Sequence, residues 1–229
     1  MKLYSGPLSL FARKVEIALG EKGLAFERVM VPFSQTRGYA PKDPLVLQAN
    51  PKGQVPVLVD GNLTLYDSTI IIEYLDEAYP HPALMPQGAA ARAKCRLLEL
   101  EADEVFLQPV RKLMHRTEPP EPEFASRRLQ QEEEAILAEK LIAEHYVLLS
   151  KRLGKEEFLC GSFSLADIAV FMIVHYSLRL GGPEPSLHAN LSQWYDRLSQ
   201  RASFAKIIAE IEAADKALSY PVPLRQPAV

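Results

Sequence analysis

Cysteine is scarce in this chain, with two in 229 residues, Cys95 and Cys160. They stand far apart, with no second cysteine near either, which argues against a disulfide framework or a zinc site and favours a reducing compartment. The five histidines (81, 115, 145, 175 and 188) are scattered without metal-ligand spacing, so no metal is expected. Long basic runs are also missing. Arg13-Lys14 and Arg127-Arg128 are the densest clusters and the net charge is −3, which leaves no footprint for nucleic acid. The longest apolar stretch, "DIAVFMIVHY" (167–176), is too short to span a bilayer and reads as a buried core helix. The N-terminus reads directly as a strand, without the charged and apolar regions of a signal peptide. The expectation is a soluble cytoplasmic protein with no membrane partner. There is no internal repeat and no low-complexity tract.

What is present is a sizeable apolar content, 48% of residues, in a chain long enough for one large domain or two small ones. Up to about residue 80, strand and helix patterns alternate. Strands are expected at 2–5, 26–31, 57–59 and 63–65, and helices at 10–22, 43–48 and 68–78. "VDGNL" between the last two strands is a hairpin signal, with Asp60-Gly61 expected to supply positive φ angles. After "AYPHPALMP" (78–86) the strands stop. A long helical pattern over 89–117 is interrupted by Pro109, which should kink it. "EPPEPE" (118–123) reads as a loop, 125–152 as a helix, and "FSLADIAVFMIV" carries Ser164 and Asp167 at capping-box spacing. Helices near 189–200 and 203–218 precede a Pro-rich tail. The fold class is therefore α/β followed by all-α, with domains over 1–80 and 86–229.

Three stretches of the first domain combine chemistry with turn signals. In "LYSGPLSLFARKV" (3–15), Ser9 stands where a helix with apolar Phe11, Val15, Ala18 and Leu19 begins, and Gly23 stands where it should end. A serine there is an N-cap worth about 1 kcal/mol, or a cap with a second task. In "NPKGQVPVLVD" (50–60), Pro56 opens a strand that should be internal. This fits a first strand residue or a cis Val55–Pro56 bond that would show the Val55 backbone to a ligand. In "YDSTIIIEYL" (66–75), Asp67 and Ser68 stand where a buried helix begins, either as caps or as a small polar receptor beside free N–H groups.

Together with "GSFSLADIAV" (161–170) and "LSQWYDRLSQRASF" (191–204), these stretches resemble the cytosolic glutathione transferase superfamily, in order and spacing, over nearly the whole chain. The resemblance implies a thioredoxin-like N-terminal domain and a helical C-terminal domain, in a homodimer, acting in detoxification. It implies glutathione as co-substrate, with Val55 pairing its backbone to the cysteinyl unit. Asp67 and Ser68 would hold the γ-glutamyl end, and Gln54 and Lys52 would reach the glycyl side. Ser9 would donate its hydroxyl hydrogen to the sulfur, with Tyr4 and Ser5 as alternates. The helical domain would supply an apolar pocket for the electrophile from Leu107, Val110, Leu113, Met114 and Tyr176. Each of those five also reads as plain core.

This chain departs from the family pattern in places. Leu10 follows Ser9 where many serine-type members have proline. No cysteine occupies 4–13, which weakens the glutaredoxin-like members, and the Ser-Ser-x-Cys motif of the maleylacetoacetate isomerase class is absent. Arg13 reads as a structural or solvated charge, or as added positive potential. Asp103 reads as a helix-face charge or as a contact to glutathione across a dimer interface, and Trp194 as packing. The leading function is thiolate attack on a hydrophobic electrophile, with glutathione peroxidase chemistry beside it. The alternatives are a non-catalytic interaction module of the stringent-starvation type or a carrier of apolar ligands.

Overall fold

The structure, a computed structural model, describes residues 1–120 and 125–222. The expected loop over 121–124 and the end of the Pro-rich tail lie outside them. The chain divides into two compact units. One holds Met1–Arg92 with Ser199–Leu218, and the other holds the described residues of Ala93–Leu198 with residues 219–222.

The first unit is a thioredoxin-like α/β arrangement. β1 (Lys2–Ser5) leads into α1 (Leu10–Glu21), β2 (Glu27–Met30), α2 (Pro44–Ala49), β3 (Val57–Asp60), β4 (Leu63–Tyr66) and α3 (Ser68–Ala78). The sheet order is β2-β1-β3-β4, with β1 parallel to β2 and the other pairs antiparallel. Tyr4 and Val57 pair across β1 and β3 and join Val46 of α2 in one apolar cluster. Leu3 and Leu58, one residue along, point to the other face, because strand side chains alternate. Both faces are therefore covered.

The β3–β4 hairpin corrects the sequence reading of its turn. Asp60 pairs with Leu63, so the turn residues are Gly61 and Asn62, and of Asp60 and Gly61 only the glycine has positive φ, at 58°. Glycine at the first central position is the demand of a II′-type turn. Asp60 instead accepts hydrogen bonds from the Tyr74 and Tyr79 hydroxyls, at 2.8 and 2.9 Å.

α9 (Ala202–Leu218) closes this unit against α1. Glu21 accepts from Ser203 Oγ and from Arg201, whose Nε is 3.1 Å away. Gly20 is required here, since a Cβ on it would sit 2.8 Å from Cβ of Ser203.

The second unit is all helical. It contains the body of α4 (Ala89–Leu100), α5 (Leu107–Arg111), α6 (Ala125–Leu153), α7 (Leu165–Arg179) and α8 (Ala189–Ser199). The expected helix over 89–117 is broken earlier than Pro109. Glu101–Phe106 is a π-helical segment, and Met114–Thr117 is a 3₁₀ turn. Pro109 has no N–H for the Val105 carbonyl and its ring crowds that carbonyl. The backbone widens in the turn just before it, a known relief for a disturbed ladder.

α7 is buried from Leu165 through Ser177 and forms the centre of this unit. Its capping box is present. Asp167 accepts from Ser164 N and Oγ, from Leu159 N and from Trp194 Nε1, all at 2.9–3.0 Å. Trp194 is fully buried as a packing residue. Among the described residues no helix is long and apolar enough to cross a membrane.

Candidate functional site

Register brings the three chemistry-bearing stretches to one end of the sheet. Tyr4 pairs with Val57, and Val57 pairs with Tyr66. The exit of β1, the entry to β3 and the exit of β4 are therefore neighbours. Ser9, Val55-Pro56 and Asp67-Ser68 are attached to those three strand ends, and two helix N-termini, of α1 and α3, open there together.

Ser9 caps α1 in an extended conformation. Its Oγ accepts from Ala12 N at 3.3 Å, and its carbonyl from Arg13 N at 2.9 Å. The residue is only 8% exposed. A hydroxyl also has one hydrogen to give, and among the described residues the Ser9 hydrogen meets no acceptor. Ser5 differs: it is fully buried and donates its hydroxyl to Glu16 Oε1. Tyr4 lies in the apolar cluster with Val55 and Val57.

Val55 precedes a cis bond to Pro56. Its side chain is buried, yet its N–H and C=O make no hydrogen bond among the described residues. Main-chain groups beside a buried side chain are normally paired, so this pair is offered to water or to a ligand backbone. The loop before it is organised by Asn50, which the sequence reading missed. Asn50 Nδ2 donates to the Gln54 carbonyl at 2.7 Å, and its Oδ1 accepts from Lys52 N at 2.9 Å. Lys42 Nζ adds a bond to the Gly53 carbonyl at 2.6 Å. The signal was an Asn ahead of Pro-Lys-Gly, an Asx-turn pattern. The side chains of Gln54 and Lys52 are exposed.

Asp67 caps α3 from a left-handed backbone, φ 76°, the one non-glycine with positive φ among the described residues. Its Oδ1 accepts from Thr69 N at 3.0 Å and Ile70 N at 3.4 Å. Such a conformation costs of order 1–3 kcal/mol and clusters at ligand sites. Ser68, the first residue of α3, is buried, and its hydroxyl has no partner among the described residues.

The loop that carries Ser9 is fixed from behind. Arg13, 2% exposed, donates Nε and Nη2 to the Pro7 carbonyl, both at 3.3 Å. Its Nη1 pairs with Glu16 at 2.9 Å and Glu210 at 2.7 Å, and Arg28 bridges the same two carboxylates. Arg13 is therefore a buried structural charge. Burial pushes the Glu210 carboxyl up, but Arg28 and Arg13 outweigh it and hold it below the ordinary glutamate range. Gly6, in the same loop, lets the Tyr39 ring pack against the backbone: a Cβ there would sit 2.2 Å from the ring and force it to move.

In the helical unit, Leu107, Val110, Leu113 and Tyr176 are buried, and Met114 alone of the five named residues is half exposed. Asp103 lies on the π-helical segment and is half-buried. The reading of Cys95 and Cys160 as isolated is overturned. The Cys95 thiol, buried in α4, interacts with the Cys160 sulfur and with Ser164 at the start of α7. That contact brings Cys160 down to about 7 and pushes Cys95 up. Both thiols are free. Among the described residues no group of His, Cys, Asp and Glu is placed to hold a metal ion.

A sheet whose strand ends gather two capped helix N-termini, followed by an all-helical unit, defines a class: a thioredoxin-like domain joined to a helical one. Residues 3–83 match the profile of the glutathione S-transferase N-terminal domain, and residues 100–197 that of its C-terminal domain. A stringent starvation protein A homolog of Coxiella burnetii is 32% identical, over 93% of each chain. Glutathione S-transferase F10 of Arabidopsis thaliana is 29% identical, over 89% of this chain and 94% of its own. The crystal structure of a glutathione S-transferase from Rhodospirillum rubrum F11 superposes with a TM-score of 0.75 at 28% identity, covering 90% of both chains. The chain belongs to the glutathione S-transferase superfamily.

Proposed function

We propose that this protein is a glutathione transferase in which Ser9 activates the thiol. The observation that carries the reading is the unclaimed hydroxyl hydrogen of Ser9, nearly buried at a helix N-terminus. Glutathione, as co-substrate, supplies a thiol nucleophile. A free thiol has a pKa near 8.5 and is mostly protonated at neutral pH. Each unit of lowering needs about 1.4 kcal/mol of preference for the anion. A hydrogen bond to a charged group contributes about 1.5–3 kcal/mol, and the positive end of α1 adds to it. One to two units are therefore within reach of Ser9 and α1 together.

The other groups at this sheet end fit a tripeptide. The Val55 N–H and C=O suit a peptide backbone, the Asp67 carboxylate suits an ammonium, and the Ser68 hydroxyl at the start of α3 suits a carboxylate. Gln54 and Lys52, both exposed, are assigned to the glycyl end. Residues 1–80 take the glutathione role, and 86–229 the electrophile role, through Leu107, Val110, Leu113, Met114 and Tyr176. A cytoplasmic homodimer acting in detoxification, on a hydrophobic electrophile or a peroxide, completes the proposal.

A second reading, a glutathione-transferase fold that serves as an interaction module, is favoured by the 32% identity to a stringent starvation protein A homolog. One experiment separates the two: thiolate absorbance of bound glutathione against pH, for wild type and Ser9→Ala. The transferase reading expects a depressed thiol pKa that rises by about one to two units in the variant, with binding kept. A pKa that does not move on substitution shifts the role to Tyr4 or Ser5. Absence of binding in wild type replaces the enzyme with the module.

A further inference from the structure

Cys95 and Cys160 are not among the groups named above for glutathione or its electrophile, yet the helical unit brings their sulfurs together. Cys95 sits on α4 with no solvent exposure. Cys160 lies in the connection between α6 and α7 and is half-buried. The Cys95 sulfur touches Cys160, accepts from the Ala166 N–H and lies against Ser164, so α4 meets the entry of α7 through sulfur.

The turn that presents Cys160 is braced. Leu159 N donates to Asp167 Oδ1 and Gly161 N to the Phe158 carbonyl, both at 3.0 Å. Gly161 turns the chain at φ 81°, and Cys160 bridges back to Ser162. From α8, Arg197 lies over the Phe158 ring, 5.8 Å from its centroid, and donates Nη2 to the Glu157 carbonyl at 2.9 Å. The sulfur contact is therefore held by the surrounding fold.

The two thiols are unequal. The hydrogen bond between them favours the thiolate at Cys160 and the thiol at Cys95. Burial reinforces the second effect and opposes the first, and the Asp167 charge also opposes the Cys160 anion. The thiolate is the reactive form, and reactivity needs access. Cys160 has both, and Cys95 stands covered and protonated behind it. An accessible, acidic cysteine beside a resolving partner is the arrangement that oxidation selects. Where thiols are kept reduced, the disulfides that do form are transient and catalytic or redox-sensing.

We propose that Cys95 and Cys160 are a second reactive site, a dithiol that hydrogen peroxide oxidises reversibly to a disulfide between α4 and the entry of α7. The Cys160 thiolate attacks one peroxide oxygen. An S–O bond forms, the O–O bond breaks, and the hydroxide released takes up the proton that Cys160 lost on ionising. Cys95 then attacks the Cys160 sulfenic acid. The S–S bond forms, the S–O bond breaks, and the leaving hydroxide takes the Cys95 proton. The two thiols lose two electrons and the peroxide becomes two waters. An external thiol restores the pair by exchange. The site does not depend on the glutathione reading.

The test treats the full-length reduced protein with hydrogen peroxide, with no glutathione present. The expected result is loss of both thiols in each chain, a mass lower by two hydrogen atoms and a Cys95–Cys160 cross-linked peptide. Dithiothreitol should reverse all three. Cys160→Ser should slow the oxidation of Cys95 by about tenfold or more. Cys95→Ala should leave the Cys160 sulfenic acid unresolved, so that dimedone captures it about tenfold or more better than in wild type. Cys95→Ser takes its place if the alanine variant fails to fold, and the wild-type peptide map stands without either. Thiols that survive peroxide overturn the proposal, as does oxygen added to either sulfur without a cross-link. A disulfide that joins two chains overturns it too.

Discussion

In the sheet-bearing unit, Arg13, Glu16, Arg28 and Glu210 meet as two cations and two anions. In the helical unit, Asp167 is buried among four neutral donors from Leu159, Ser164 and Trp194. Both arrangements tie distant parts of a unit together at the start of a helix. They do it by different physics. The cluster draws on Coulomb attraction, and its outer members, Arg28 and Glu210, keep 30% and 26% of their side chains exposed. Asp167 has no solvent contact and depends on hydrogen-bond geometry alone. A charge held by opposite charges tolerates the loss of one member, because others remain. A charge held by dipoles leaves every donor orphaned when it goes.

The largest expected effect follows from that asymmetry. Asp167→Ala strands the Trp194 indole N–H and two backbone N–H groups, and should lower the stability of the helical unit by about 4 kcal/mol, read from urea unfolding followed by Trp194 fluorescence. Arg13→Met should cost less, about 3 kcal/mol, because Arg28 still faces Glu16 and Glu210. The same variant frees the Pro7 carbonyl, so glutathione affinity should weaken along with stability. If Arg13→Met proves costlier than Asp167→Ala, the contrast between the two kinds of burial fails.

Glu210→Gln sharpens the comparison through pH. The Glu210 carboxyl is depressed in the folded protein, so its contribution is present above the unfolded value, about 4.3, and is lost as pH falls through the folded value. The gap between wild type and Glu210→Gln, about 1 kcal/mol at pH 7, should therefore close in acid below about pH 4. Salt gives the smallest effect. At 1 M sodium chloride that gap should shrink by about 0.3 kcal/mol, while the Asp167→Ala penalty stays fixed.

Much of this architecture was legible because it is local. Ser9 and Gly23 bracket α1 by cap chemistry, and Ser164 with Asp167 needs only three-residue spacing to announce α7. The alternation of strands before residue 80 and its end afterwards separated the sheet from the helices. What escaped was of two kinds. Glu210 meets Arg13 across 197 positions, and Cys95 on α4 meets Cys160 in the connection between α6 and α7, and no pattern in either neighbourhood points to the other. The π-helical segment escaped because one widened turn barely disturbs apolar periodicity, and Pro109 marked its cause rather than its place. At the candidate site, residue types were readable from sequence, whereas the unpaired Val55 backbone and the unclaimed Ser9 hydrogen required coordinates.

α9 is the last helix among the described residues, yet it completes the unit that contains the first strand. Proteins are synthesised from the N-terminus, and domains generally fold as they emerge. Arg13 and Arg28 leave the ribosome long before Glu210 exists, so the first unit to be translated is finished only after most of the second has been made. A premature stop or a proteolytic nick past Ser199 thus injures the opposite end of the polypeptide. It leaves α1 without its outer cover and the loop bearing Ser9 without its far anchor.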